Sequence, residues 1–197
     1  MKKVLPYVKR KIVDYNSLLD MKEDMDGSLV EAGTTNYNQR TKERESKQDK
    51  SVRSTKIKNF VKPFDYPDIN KELIKLIPLL DDSKFSDDFY VFEYNYLIYG
   101  VGDHFTKHRD LINGEDLTID WSSTRVFSTS TMISESADFQ GGEFIFYDKY
   151  NEEGEEIKIE TGETLLFDAT KGHEVKPVTK GTREVLVAWI AYKRRSI

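Results

Sequence analysis

From about residue 89 onward, the chain is a succession of short segments rich in β-branched and aromatic residues, separated by turns that contain Gly, Asn, Asp or Lys-Gly. In chain order the segments are FYVFEYNYLIYG, RVFSTSTMIS, GGEFIFYD, EEIKIETGETLLFDA, HEVKPV and REVLVAWIAYK. This composition and spacing predict antiparallel strands in a sandwich or barrel. About eight short strands that follow a helical start fit a jelly roll. We therefore predict a mainly β fold with N-terminal helices and a jelly-roll core.

The first half of the chain predicts helices and one long polar stretch. YPDINKELIKLIPLL, residues 66–80, has apolar side chains at helical spacing, and VDYNSLLDMKEDM is a weaker helix candidate. The stretch from Asp26 to Ser54 is highly charged and short of large apolar residues, as in long loops or disordered segments. We predict that residues 1–88 form a helical and charged-loop extension, which packs on a core domain over residues 89–197.

Composition excludes several classes of site. Because the chain has no cysteine, thiolate zinc sites, iron–sulfur clusters and cysteine nucleophiles are excluded, and any metal must bind nitrogen and oxygen. The formal charge of −5 gives no general electrostatic indication of nucleic acid or of an anionic membrane. No run approaches the roughly 18 apolar residues of a membrane span, and the first residues contain no apolar signal region. We expect a soluble, cytoplasmic protein with no membrane partner.

The stretch YGVGDHFTKHRD, Tyr99 to Asp110, contains two of the three histidines of the chain. Its glycines and aromatic residues favour strand and turn, which argues against His104 and His108 sharing a helical face as in a HExxH zinc site. In an extended strand, His108 and Asp110 point to one side. With His173 they would form two histidines and one carboxylate, the facial triad of non-haem iron(II) oxygenases. A lone His-x-Asp is common by chance, so further support is needed.

That support comes from Arg183. If residues 179–181 turn the chain, His173 and Arg183 lie on paired antiparallel strands. The side chains that then alternate toward one face are Arg183, Val185, Val187 and Trp189. A guanidinium buried near a metal without a carboxylate partner is costly, so it indicates an anionic ligand that pairs with it.

These features together resemble the 2-oxoglutarate oxygenases, and the resemblance is closest to the prolyl 4-hydroxylase branch. Tyr99 to Asp110 is similar to the branch's segment of Tyr, Gly, a small residue, an aromatic residue and His-x-Asp. RVFSTSTMISESADFQGGEFIF resembles its Arg-led strand and Gly-Gly-Glu turn, and GETLLFDATKGHEVKPVTKGTREVLVAW resembles its last block. The matched region runs from about Phe89 to Tyr192, with a weaker match around Ser51 to Lys56. The resemblance implies a double-stranded β-helix, a cupin-like jelly roll.

The resemblance also implies roles for individual residues. The implied Fe(II) ligands are His108, Asp110 and His173. Arg183 would pair with the distal carboxylate of 2-oxoglutarate, and Tyr99 would contact the cosubstrate or the bound peptide. The residues implied near the substrate are Arg125, Trp189 and His104, and each of them also fits a plain core or surface position.

The implied activity is hydroxylation of proline in a peptide or protein, with Fe(II), 2-oxoglutarate and dioxygen, release of succinate and carbon dioxide, and ascorbate as a reductant. The charged stretch from Asp26 to Ser54 could fold over such a peptide or form a disordered segment. One alternative keeps the chemistry and changes the target to a free amino acid, another side chain or a nucleobase. A second alternative is a non-catalytic, cupin-like sensor that binds metal or 2-oxoglutarate.

Overall fold

The computed structural model describes residues 6–12, 15–24, 29–38, 43–58, 63–111 and 125–192. The strands of the first half are short: β1 Tyr7–Lys11, β2 Val30–Glu31, β3 Thr34–Asn38, β4 Glu43–Lys47, β5 Arg53–Ser54 and β6 Lys56–Lys58. Those of the second half are β7 Phe89–Tyr99, β8 His104–His108, β9 Arg125–Met132, β10 Phe139–Gly141, β11 Phe144–Tyr147, β12 Glu155–Ile157, β13 Glu163–Asp168, β14 Gly172–Val175, β15 Val178–Gly181 and β16 Arg183–Tyr192. The helices are α1 Tyr15–Asp24, α2 Pro67–Lys75 and α3 Ile77–Leu80, with 3-10 turns at Pro63–Asp65 and Ser86–Asp88.

Two antiparallel sheets dominate the fold. A seven-stranded sheet has the order β1-β13-β9-β16-β7-β6-β2, and a five-stranded sheet has the order β12-β11-β14-β8-β5. Strands β10 and β15 form a small pair, and β3 and β4 form another. The prediction of a mainly β, antiparallel fold is confirmed. Because β1, β2 and β6 lie in the large sheet, the first 88 residues supply strands as well as helices; the division at residue 88 stays a prediction.

One apolar cluster lies between the two sheets, and a second lies between the large sheet and the helices. The cluster between the sheets joins Leu97 and Val185 of the large sheet to Phe144 and Val175 of the small one. The other cluster joins residues of α1 and α2 to the opposite face of β7 and β16; its members include Leu18, Met21, Ile69, Leu73, Tyr94, Tyr96, Leu186 and Ile190. Alternation along β16 therefore directs one set of side chains between the sheets and the next set onto the helices.

The stretch 66–80 is helical, but it forms two helices. Pro67 opens α2, whose Ile69 and Leu73 are buried. Pro78 has no amide hydrogen to continue the α2 hydrogen-bond ladder, and it sits in the first turn of the separate helix α3. Among the described residues, no helix is long and apolar enough to cross a membrane.

Two sequence predictions about strand connectivity are wrong. Residues 179–181 belong to β15, which pairs with β10, so β14 and β16 are not partners and lie in different sheets. The physical reason is the segment after β14, where Pro177 cannot donate a ladder hydrogen bond and Gly181 has a φ of 72°. In addition, EEIKIETGETLLFDA is not one strand. Gly162, with a φ of 76°, separates β12 in the small sheet from β13 in the large sheet.

The charged stretch from Asp26 to Ser54 contains paired strands where loops or disorder were predicted. Strands β3 and β4 form an antiparallel hairpin in which Thr34 pairs with Lys47 and Asn38 with Glu43. The ends of the stretch are tied to the two sheets, because β2 pairs with β6 and β5 pairs with β8. Residues 25–28 and 39–42 lie outside the described residues.

Candidate active site

Three side chains that could hold a metal converge between the two sheets. His108 ends β8, and His173 lies opposite it on the paired strand β14. One donor atom from each of His108, Asp110 and His173 lies within 4.8 Å of the others. Nε2 of His108 is 3.9 Å from Oδ1 of Asp110, and Nε2 of His173 is 3.8 Å from Oδ2. The prediction that Asp110 lies on the same strand as His108 is wrong. Asp110 follows the strand end, and the bend there brings its carboxylate to the two imidazoles.

A β-bulge in β8 decides which side chains share this interior. Across the β8–β14 pair, His173 is opposite His108 and Val175 is opposite Phe105, so three steps along β8 match two along β14. Phe105 and His108 therefore point to the same side, and their rings stack with centroids 3.4 Å apart. Sequence reasoning missed Phe105, because regular alternation would have placed it on the opposite side from His108.

Backbone carbonyl groups orient both imidazoles. Nδ1 of His108 is 2.8 Å from the carbonyl oxygen of Thr106, and Nδ1 of His173 is 3.4 Å from that of Lys171. A carbonyl oxygen only accepts hydrogen bonds, so we assign the proton of each neutral imidazole to Nδ1. This assignment leaves the Nε2 lone pair of each ring directed toward Asp110, as metal coordination requires.

The electrostatics give the three groups the charge states of metal ligands at neutral pH. Burial, together with the neighbouring His173, lowers the pKa of His108 to about 3, and burial also lowers the pKa of His173. Burial alone would raise the pKa of Asp110. The two imidazoles and the hydroxyl of Ser128, which donates to Oδ2 over 2.5 Å, instead hold that pKa well below its ordinary value. Two neutral imidazoles and one carboxylate are a donor set that suits Fe(II).

Arg183 is almost completely buried and lacks hydrogen-bond partners among the described residues. Its side chain is 1% exposed, and its three guanidinium nitrogens make no hydrogen bond. Burial lowers its pKa, while Tyr99 and Glu143 act in the opposite direction without a hydrogen bond to the guanidinium in the described part of the chain. The guanidinium carbon lies 5.4 Å from the ring centroid of Tyr99, its register partner on β7. A buried cation with three free nitrogens fits a site for an anionic ligand.

Gly142 leaves room for the Arg183 side chain. It has a φ of 68°, and a Cβ atom at this position would come within 2.8 Å of Cδ of Arg183. The sequence predicted only a turn for Gly141 and Gly142, whereas Gly142 also permits the close approach of the arginine.

A polar wall continues the interior along β7, β9 and β16. The guanidinium carbon of Arg125 lies 3.8 Å from the ring centroid of Trp189, and its Nη2 lies 3.5 Å from Oε2 of Glu93. Glu93 is 5% exposed, and its Oε1 accepts a hydrogen bond of 2.8 Å from Asn95. Arg125 is therefore not a solvated surface charge, and Trp189 is its stacking partner. Sequence reasoning missed Glu93 and Asn95, although regular alternation from Tyr99 places both on the same face of β7. The register shift of this strand begins only beyond Glu93.

Arg53 is a third guanidinium of this interior, and sequence reasoning did not select it. It lies 4.6 Å from the ring centroid of Phe105, and its Nη1 donates to the carbonyl oxygen of Gly33 over 3.2 Å. Its Nε is buried and unbonded within the described part of the chain. Burial lowers its pKa, while the nearby Tyr99 and Asp110 act in the opposite direction. The only sequence signal for Arg53 was the weak similarity around Ser51 to Lys56.

Tyr99 and His104 differ in their relation to this interior. Tyr99 is 2% exposed, and burial raises the pKa of its hydroxyl. Its contact with a cosubstrate stays a prediction. His104 does not join the three donor residues. Its ring nitrogens lie 3.1 Å from the carbonyl oxygen of Gly102 and 3.3 Å from that of Ser51, so it joins β8 to the turn before β5.

Comparisons with known proteins agree with this arrangement. Residues 94–191 match the sequence model of the 2OG-Fe(II) oxygenase superfamily. A PKHD-type hydroxylase of Hyphomonas neptunium is 33% identical over 91 residues, which are 46% of this chain and 39% of that protein. The chain thus spans about two fifths of the length of the curated relatives it matches.

Two solved structures share the fold over nearly the whole chain. A prolyl-4-hydroxylase of Pseudomonas putida has a TM-score of 0.60 at 14% identity, covering 96% of this chain and 94% of that one. A prolyl hydroxylase of Trichoplax adhaerens, in complex with a peptide fragment of the hypoxia inducible factor oxygen degradation domain, has a TM-score of 0.58 at 15% identity. It covers 95% of this chain and 84% of that one. At these identities the likeness shows the fold.

Proposed function

Because this chain belongs to the 2OG-Fe(II) oxygenase superfamily, we propose that it is an Fe(II)- and 2-oxoglutarate-dependent hydroxylase that acts on proline in a peptide or protein. The two facing antiparallel sheets would be the double-stranded β-helix of such an enzyme. His108, Asp110 and His173 would hold Fe(II). When bound there, Fe(II) supplies the activation of dioxygen that couples conversion of 2-oxoglutarate to succinate and carbon dioxide with hydroxylation of the substrate.

The observation that carries the proposal is the unpaired guanidinium of Arg183. The side chain of Arg183 is 1% exposed, and none of its three guanidinium nitrogens makes a hydrogen bond within the described residues. It faces the interior that also holds the three donor residues. A planar guanidinium pairs with a carboxylate through two parallel hydrogen bonds, so Arg183 would anchor the distal carboxylate of 2-oxoglutarate. This contact would direct the 2-oxo acid end toward the donor residues. Tyr99, packed beside Arg183, would limit the access of water to the ion pair.

The polar wall supports a peptide as the substrate. Arg53 presents a hydrogen-bond donor at its unbonded Nε, and Glu93 presents a buried acceptor, so the wall can bind the carbonyl and amide groups of a backbone. Trp189 adds a flat apolar surface of the kind that suits a pyrrolidine ring. The similarity to a hydroxylase and the shared fold with a peptide-bound prolyl hydroxylase support this choice. Their chemistry is proposed for this chain on that basis.

The test is a succinate-release assay with Fe(II), 2-oxoglutarate and ascorbate over a panel of proline-containing peptides. We expect some peptides to raise succinate release and to gain one oxygen atom by mass spectrometry. Each active peptide has a matched control in which alanine replaces proline, and that control should remain unmodified. His108→Ala and Asp110→Asn should abolish both signals.

Two outcomes would contradict the proposal in different ways. Iron-dependent succinate release that no peptide stimulates would contradict the peptide substrate and would favour a free amino acid, another side chain or a nucleobase. Tight 2-oxoglutarate binding without any succinate release would contradict catalysis and would favour a sensor.

A further inference from the structure

Tyr150 lies in the connection between β11 and β12, on the outer side of the five-stranded sheet behind the three donor residues. Its hydroxyl donates a hydrogen bond of 3.2 Å to the carbonyl oxygen of Lys107. Lys107 immediately precedes His108, so this bond holds the bulged end of β8 from the side opposite the donors.

The two cationic side chains that flank His108 in the chain also lie near the ring of Tyr150. The guanidinium carbon of Arg109 lies 4.2 Å from its centroid, and the ammonium nitrogen of Lys107 lies 4.7 Å from it. Both distances allow cation–π attraction. Arg109 separates His108 from Asp110, and its buried Nε finds no hydrogen-bond partner within the described part of the chain. The ammonium of Lys107 lies closer to the ring of Tyr147, at 3.5 Å, so the contact that Tyr150 makes with the segment between two donors is chiefly the one with Arg109.

The same ring also packs on β14. A Cβ atom on Gly172, the residue before His173, would come within 2.9 Å of Cδ2 of Tyr150. Only a glycine lets the ring lie this close to the backbone of β14. Nearby, Nζ of Lys171 is 2.5 Å from a carboxylate oxygen of Asp148, which ties the β11–β12 connection to the start of β14.

One side chain thus contacts the chain neighbours of all three donor residues. We propose that Tyr150 is a positioning residue for the metal site. Its side chain holds the end of β8 and the start of β14 at the spacing that metal binding requires. The inference rests on the metal role proposed above for the three donors. The physical reason is that a metal site is strong only if its donors are held in place before the ion arrives, and the contacts behind the ligands supply that order.

The test is titration of the purified chain with Mn(II), followed by calorimetry and by the electron paramagnetic resonance signal of free Mn(II), without cosubstrate or turnover. Tyr150→Ala should weaken Mn(II) binding by roughly 10- to 100-fold, the usual effect of removing a contact behind a metal ligand. Tyr150→Phe keeps the ring and should recover most of the affinity. The matched control is Tyr90→Ala, which removes a partly exposed tyrosine of β7 and should leave the affinity unchanged.

Gly172→Ala supplies an independent variant. Its new Cβ should displace the Tyr150 ring and weaken Mn(II) binding. The same change in the Tyr150→Ala background, where only the contact of 3.1 Å with Cβ of Tyr147 remains, should add less. This non-additivity, with near-ultraviolet circular dichroism showing folded protein, would support the positioning role of Tyr150. If Tyr150→Ala does not fold, Gly172→Ala alone decides the question: weaker Mn(II) binding by the folded variant would support the positioning role, and wild-type affinity would contradict it.

Three results would overturn the inference. Tyr150→Ala with wild-type Mn(II) affinity, even at a lower melting temperature, would make Tyr150 a purely structural residue. Fully additive effects of Tyr150→Ala and Gly172→Ala would mean that the ring and the glycine do not act together. Failure of the wild-type chain to bind Mn(II) would contradict the proposed metal site itself, and with it the positioning role of Tyr150.

Discussion

Replacement of Arg183 should weaken the binding of 2-oxoglutarate and leave the binding of the metal unchanged. Arg183→Lys keeps a positive charge but loses the second of two parallel hydrogen bonds to a carboxylate. A hydrogen bond to a charged group contributes about 1.5 to 3 kcal/mol, so the dissociation constant for 2-oxoglutarate should rise roughly ten- to a hundredfold. Arg183→Met removes both bonds and should cost more. Neither change touches His108, Asp110 or His173, so Mn(II) binding should persist.

Arg183→Met, which should weaken 2-oxoglutarate binding, should not lower the free energy of unfolding of the ligand-free protein. Arg183 is 1% exposed and its guanidinium makes no hydrogen bond within the described residues, so folding without ligand includes the desolvation of a charge that Tyr99 and Glu143 offset only in part. Exchange of buried ionic groups for apolar side chains of similar size is often neutral, or stabilising by about 1 to 4 kcal/mol. We therefore expect ligand-free Arg183→Met to be at least as stable as the wild type.

The assay is calorimetric titration of 2-oxoglutarate into the Mn(II)-loaded protein under nitrogen, with urea unfolding of the ligand-free variants alongside. Arg10→Met, a change at an exposed arginine of β1, is the matched control and should alter neither quantity. If Arg183→Met destabilised the ligand-free protein while 2-oxoglutarate bound as before, Arg183 would be a structural residue. The case for a 2-oxoglutarate site would then rest on the three donor residues alone.

Three further outcomes are expected. His108→Ala should abolish stoichiometric Mn(II) binding, measured by calorimetry, and unchanged binding would contradict the role of this histidine. If the stretch from Asp26 to Ser54 folds over the substrate, an active peptide should slow its cleavage by protease; equal cleavage rates would favour a passive linker. Burial opposes ionisation of Glu184, but Lys22, 2.6 Å away, lowers its pKa below the ordinary 4.5. The stability lost in Lys22→Met should therefore be present above about pH 4.5 and should vanish as the pH falls through the lowered pKa, as urea unfolding across pH would show.

The local pattern of the sequence determined the conformation of most segments and the chemistry available to the site. β-Branched and aromatic runs between turn residues predicted strands such as β7 and β16, because such side chains fit a pleated, half-buried surface. Apolar spacing predicted helix over 66–80. The absence of cysteine and the presence of three histidines limited any metal to nitrogen and oxygen donors, which directed attention to His108, Asp110 and His173.

Only the tertiary structure decided which strands pair and which side chains meet. The sequence did not show that β14 and β16 lie in different sheets, or that Gly162 separates β12 from β13. It also did not place Arg53, Glu93 or Phe105 in the interior of the site. Strand pairing depends on burial between residues far apart in the chain, and one extra residue in a strand reverses the face of every side chain beyond it. The bulge in β8 does this: it brings Phe105 and His108 to one face and leaves Lys107 on the other, against Tyr147 and Tyr150.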